Sequence, residues 1–314
     1  MKHTSIIVAV GLALTAALPS FPAIAMNGRT FVSPTGSDSN PCTLALPCRN
    51  LQAALNQTNP GGEISILGTA GYSGGATLTI DRAISIVNPG AFEAGISPPS
   101  GGTGITINAG PFDFVSLRGL TIEGGGVGQT GIQFNTGQYL TVENCVIRHL
   151  VGDGIDFSPN GNVTSLAVSN TVVSDNGNTG IAIFPSGPAI VYAVISHVQT
   201  NNNFQYGVFV WGDPSFGGIQ ASVSDSIAAD NRQNGYYVLT HSGHAPATLV
   251  VVRSVVNHNY IGVYADGTAT LRLASSSVTG NQTGWGGGVL SAGNNTIEEN
   301  FNNDNVLPPT YALK

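Results

Sequence analysis

Lysine is nearly missing from this chain of 314 residues, with Lys2 and Lys314 the only two. Charged residues of every kind make up 9%, aromatics 7%, and there are 3 cysteines. With 10 cations against 17 acids the net charge is -7, so no basic patch exists for a phosphate backbone and nucleic acid is excluded as a partner. Charge runs are absent too, and the mean hydropathy of +0.16 excludes a disordered chain. After the first 20 residues no apolar run approaches the ~18 residues of a membrane helix, so the chain does not read as an integral membrane protein. Cys42 and Cys48 have no further Cys or His at close spacing, which excludes a zinc cluster there.

What is present points to strands and turns. Glycine supplies 42 residues, and Asn, Ser, Thr and Val dominate the remainder, a mixture that suits short strands better than helices. The N-terminus is different in kind. Lys2 and His3 precede an apolar run at 6–18, Pro19 and Pro22 follow, and Ala23-Ile24-Ala25 has the small-x-small form of a signal peptidase site. We expect a signal peptide at 1–25 and a secreted, periplasmic or extracellular protein. In that oxidising setting Cys42 and Cys48 close a short loop as a disulfide, and Cys145 is left as a small buried residue.

The organisation appears when segments are stacked. Residues 140–150 align with 166–176, then with 192–202, 221–231, 249–259 and 271–281, with a degenerate earlier copy at 115–125 and Asn300 closing a last one. A period in the twenties with strand composition indicates a solenoid. Behind each copy lies a short strand led by a glycine, as in Gly154-Ile-Asp-Phe, Gly180-Ile-Ala-Ile, Gly207-Val-Phe-Val and Gly235-Tyr-Tyr-Val. Two or three short strands per coil leave no room for a helix, and the frame of a leucine-rich repeat is absent. The recurring Asn176, Asn202, Asn231, Asn259, Asn281 and Asn300 suit a hydrogen-bonded ladder between coils ~4.8 Å apart.

The ends need caps. At 49–58, Leu51, Ala54 and Leu55 fall at helical spacing and predict a short amphipathic helix over the N-terminal end. Strands are expected at 63–67, 77–80 and 84–87. The division is then a leader at 1–25 and a single domain at 26–314. Within that domain 26–60 is the N-terminal cap, 61–300 the coils and 301–314 a tail lying over the last coil.

The opening at 30–42, followed by Pro47-Cys48-Arg49-Asn50-Leu51-Gln52-Ala53-Ala54, resembles secreted right-handed parallel β-helix proteins of the pectate-lyase-like superfamily, as do the coils at 115–300. The resemblance implies an all-β, right-handed parallel β-helix fold and points toward polysaccharides. It leaves the reaction open, because that fold carries lyases, hydrolases, epimerases and proteins without a known reaction. The catalytic patterns do not carry over. Asn170-Thr171-Val172 and Gly243-His244-Ala245 are fragments of polygalacturonase motifs, and no Asp-Asp pair exists in the chain. Asp153 and Asp156, with Arg148 nearby in sequence, are the candidates for lyase-like proton abstraction. The plainer reading is a turn aspartate and a solvated strand residue. No cofactor is required, and calcium stays open as an alternative, although no second acidic cluster obviously completes its site. His241 and His244 read as exposed loop residues.

The repeat register also yields surface columns. If Ile155, Ile181, Val208, Tyr236 and Val263 point inward, the next residues point outward: Gln133, Asp156, Ala182, Phe209, Tyr237 and Tyr264. A neighbouring column brings Phe184 and Trp211 onto the same face. A further column is expected through His149, Asp175, Asn201, Asp230 and His258. The aromatic face suits glycan stacking, with Gln133 and Asp156 at one end. The alternatives are coverage by the chain's own loops, such as 212–218, or a subunit contact, and oligomeric state stays open. Two functional classes therefore stand: a protein that binds or processes an extracellular polysaccharide, and a non-catalytic envelope or surface module.

Overall fold

The computed structural model describes residues 27–90 and 92–311, and the leader expected at 1–25 lies outside them. Described strands form three parallel sheets of 11, 10 and 9 members. One coil runs through Tyr139–Glu143 in the eleven-stranded sheet, Val146–Arg148 in the ten-stranded sheet and Ile155–Phe157 in the nine-stranded sheet. The chain then returns to the first sheet at Val163–Ser169. Each strand pairs with its equivalent one coil on, so Leu140 faces Leu166, Ile147 faces Val173 and Ile155 faces Ile181. This is an all-β parallel solenoid.

The strands form because apolar residues alternate with small polar ones at period two. Val163–Ser169 buries Thr164, Leu166 and Val168 and turns the residues between them outward. Inward positions from successive coils stack into one continuous core, where Phe134 and Phe157 lie 4.5 Å apart. Two corners of the coil bend at single left-handed residues. Asn144, Asn170, His197, Asp225, Arg253 and Ser275 have φ between 47° and 55° at the first corner. His149, Asp175, Asn202, Asp230 and His258 lie between 53° and 58° at the second. Asn, Asp and His tolerate this region better than most residues, which is why they recur there.

Behind the second corner runs the asparagine ladder. Asn176, Asn203, Asn231, Asn259 and Asn281 each donate from Nδ2 to the Oδ1 of the next member at 2.9–3.1 Å, and Asn300 accepts the last of these bonds. The second amide proton reaches a backbone carbonyl, as from Asn231 to Thr200 at 2.9 Å. Each Oδ1 also accepts a backbone N–H from the preceding coil, so these buried amides are satisfied. One coil differs from the sequence reading. Ala193, not Tyr192, faces Leu166, so Asn203 is the ladder member and Asn202 takes the left-handed corner with His149 and Asp175. Tyr192 is apolar enough to pass for a core residue, but it points outward and is exposed. A slip of one residue exchanges inside for outside.

Both ends carry covering segments. The single helix among the described residues, Leu51–Gln57, buries Leu51, Ala54 and Leu55 against the first coils, as expected from their spacing. Its entry is held by Asp38, whose carboxylate accepts the backbone N–H of Arg49 and Asn50. Cys42 and Cys48 are joined as a disulfide, and both hydrogen-bond through their backbones to Phe31 of the first strand, Asn27–Val32. Cys145 is buried and free, and burial pushes its thiol up to about 11. At the other end Trp285 takes the inward position opposite Val263 and donates from Nε1 to the carbonyl of Val306 at 2.7 Å. The backbones of Pro309 and Tyr311 bond to Ser291. No helix of the described residues is long and apolar enough to cross a membrane.

If the ladder holds the coils in register, Asn231→Ala strips the buried Asn203 backbone N–H and one Nδ2 proton of Asn203 of their acceptor and takes one of its two donors from the Oδ1 of Asn259. We expect a loss of about 2–3 kcal/mol in unfolding free energy, measured by urea titration. The exposed corner substitution Asn202→Ala should cost well under half of that. Equal losses would assign the ladder no special weight.

Candidate functional site

The glycine-led strands carry three outward columns on the nine-stranded sheet. The central one is confirmed strand by strand: Gln133 pairs with Asp156, Asp156 with Ala182, Ala182 with Phe209, Phe209 with Tyr237 and Tyr237 with Tyr264. Further along the strand, Trp211 pairs with Leu239 and Leu239 with Asp266, and Phe184 lies one coil before Trp211. The third column is formed by the residues just before the glycines, Asp153, Thr179, Tyr206 and Asn234, whose carbonyls bond to the glycine of the preceding coil. The face therefore changes character along the helix axis. A row with Asp153, Asp156 and Ser158 is followed by Thr179, Ala182 and Phe184, and then by Tyr206, Phe209 and Trp211.

The aromatic residues pack against one another. Phe209 and Tyr237 stack at 4.6 Å with ring planes 7° apart, and Tyr206 leans over both at 4.9 and 5.2 Å. Phe184 meets Phe209 and Trp211 edge-on, and Tyr264 tilts against Tyr237 at 5.6 Å. All six are half-buried. In the middle of the ladder ring faces are occupied by other rings, so edges and the Tyr hydroxyls are what the surface presents. The loop at 212–218 does not join this stack through its backbone. It bonds to Gly187 and Ala245, the same corner of adjacent coils. Tyr206 was missed in the sequence because alternation was counted forward from the glycine; its signal was an aromatic residue at the position Asp153 occupies two coils earlier.

At the end of the ladder, beyond the buried Ala182, sit the two carboxylates. Burial pushes the Asp153 carboxyl up to about 6, even though it accepts the Thr179 N–H at 2.9 Å, and the charge of Asp156 adds to the rise. Asp156 is also raised by burial, despite hydrogen bonds from Ser158 and Gln133. Asn178 lies beside Asp153 with its Oδ1 buried and unpartnered. The pair can accept hydrogen bonds when ionised, and Asp153 can donate one at mildly acidic pH.

The remaining candidates lie elsewhere. Arg148 is in the ten-stranded sheet and is bound to Glu123 at 2.8 Å, a carboxylate that it shares with His149 at 2.7 Å. A corner separates it from Asp156. His149, Asp175, Asn202 and Arg232 line an open cleft of about 540 Å³ at that corner. His241 donates from Nδ1 to the Asp213 carboxylate at 2.6 Å, and this contact raises it above the ordinary imidazole range. Among the described residues no three His, Cys, Asp or Glu side chains converge as metal ligands.

Asp153 gives a pH dependence with a defined sign. Its unfolded carboxyl ionises near 3.8 and its folded one near 6, so between these values the native state holds more protons and stability falls as pH rises. The loss should approach about 3 kcal/mol above pH ~6. Asp153→Asn removes it. Urea unfolding of both proteins at pH 4 and pH 7 should show the variant gaining about 2–3 kcal/mol on the native protein across that interval. Parallel pH profiles would show that Asp153 is not desolvated.

Comparison with known proteins agrees with this geometry. The family described as right handed beta helix region matches residues 72–220. No curated protein matches the chain in sequence. Among solved structures, an alginate lyase from Paenibacillus sp. str. FPU-7 is similar at TM-score 0.53 and 16% identity, over 84% of this chain and 99% of that one. The pectate lyase Pel9A is similar at TM-score 0.45 and 17% identity, over 84% and 67%. The catalytic domain of a GH87 alpha-1,3-glucanase is similar at TM-score 0.37 and 11% identity, over 90% and 71%. Coils stacked in parallel register, a match to the right handed beta helix region over 72–220 and the likeness in fold to the alginate lyase together show a right-handed parallel β-helix fold.

Proposed function

We infer that this is an exported protein that binds an extracellular polysaccharide on the outer face of its nine-stranded sheet. The observation that carries the reading is the step on that face, where two half-buried carboxylates meet a wall of six aromatic residues across a single coil. Rings offer apolar edges and an end face to the flat side of a sugar, and Asp153, Asp156 and Gln133 offer acceptors and donors to its hydroxyls. The fold shared with an alginate lyase and other enzymes acting on polysaccharides supports the same class of ligand. A raised Asp153 beside Asp156 is equipped to pass a proton to a glycosidic oxygen, which supports this step as the place of any processing.

A second reading, a non-catalytic envelope or surface module, has one observation in its favour. The outer face of the eleven-stranded sheet exposes Val163, Ile190, Tyr192 and Val194 side by side.

Affinity electrophoresis of the whole protein through gels containing soluble polysaccharides tests the first reading. Trp211→Ala should weaken retardation by the best polymer about 5- to 30-fold, the scale of one aromatic contact. Because Trp211 also packs on Phe184 and Phe209, Tyr264→Ala at the ladder's end serves as the variant with less structural cost. Retardation of the native protein by none of the polymers would sink the reading and favour the surface module.

A further inference from the structure

We propose that the site takes a neutral polysaccharide and rejects polyuronates. The inference rests on the glycan reading above and adds the charge of the ligand. In the strands of the nine-stranded sheet the only charged residues are Asp156 and Asp266, and Asp153 lies just ahead of the first. No Arg, Lys or His stands in those strands. Arg29, Arg118 and Arg272 are in the eleven-stranded sheet and Arg148 is in the ten-stranded one. Of the cations nearest the sheet in sequence, Arg82 is bound to Asp81 at 2.7 Å and His241 to Asp213 at 2.6 Å, while Arg232, just ahead of Asn234–Thr240, lies over the Phe204 ring at 4.8 Å in the corner cleft beside His149 and Asp175.

A polyuronate carries one carboxylate per sugar. Laid along the axis, it would bring anions repeatedly against Asp153, Asp156 and Asp266, with no guanidinium or ammonium to neutralise them. Like charges brought together on a partly desolvated face oppose binding strongly. A neutral chain meets no such penalty. Its hydroxyls can donate to the carboxylates and accept from the amides of Gln133 and Asn135. Tyr237 turns its hydroxyl toward Asp266 at 3.3 Å, so this phenol is committed to an acid.

The test compares neutral polymers (a soluble β-glucan, xylan and galactomannan) with polygalacturonate and alginate, by affinity electrophoresis at low and high salt. At least one neutral polymer should retard the native protein, with little salt dependence. Both polyuronates should bind at least about tenfold more weakly. The near-isosteric Asp156→Asn, Asp266→Asn double variant should narrow that gap by strengthening polyuronate binding. Tighter binding of a polyuronate than of any neutral polymer, weakening with salt, would overturn the charge inference and leave the glycan reading standing. Binding of neither class would overturn both.

Discussion

Stacking of equivalent positions one strand spacing apart is the constraint on which the rest of this molecule depends. A parallel solenoid repeats every side chain environment along its axis, so a residue is packed mainly by its own counterparts above and below. The asparagine ladder makes that register costly to leave. Its amides are buried, and each is satisfied only by the next asparagine and by a carbonyl of the neighbouring coil. A coil displaced by one residue would bury amides without partners and turn its apolar side chains to water.

The same constraint builds the candidate site. Outward residues at one coil position form a column whether or not they have a common role. Where the column is aromatic, the rings stack on each other, as Phe209 and Tyr237 do, and their faces are used up within the protein. Where it becomes polar, side chains such as Asp156 sit against the end of an apolar wall and lose solvent. The raised carboxyl of Asp153 is thus a product of position: the same turn aspartate beside solvated neighbours would ionise in the ordinary range. Charge segregation follows as well. Arg148 is five residues from Asp153 in the chain, yet a corner intervenes, and its partner Glu123 comes from the preceding coil of its own sheet.

Chemistry on such a scaffold is decided locally. Two faces of one coil, built from adjacent segments, differ completely. The corner around His149, Asp175 and Arg232 mixes both charges in an open cleft, whereas the nine-stranded face has acids, amides and rings and no cation. Fold likeness speaks to the common frame and leaves these differences untouched.

Sequence alone determined the frame, because everything that defines a solenoid is local and repeated. The period, the inward apolar positions, the amphipathic helix over the first coils and the outward column from Gln133 to Tyr264 could all be read by aligning the chain with itself. The single slip came at Tyr192, where an aromatic residue imitated a core position; only pairing with the neighbouring coil set Ala193 inside and Asn203 in the ladder. What tertiary structure decided was what lies between columns. That Tyr206 covers Phe209, that ring faces are spent on one another, that Ala182 is buried between the wall and the acids, and that Asp153 is desolvated depend on contacts across coils and across strands. A repeat fixes which residues share a column, but the solvent each one keeps is set by the sizes of its neighbours in three dimensions, and an alignment carries no measure of that space.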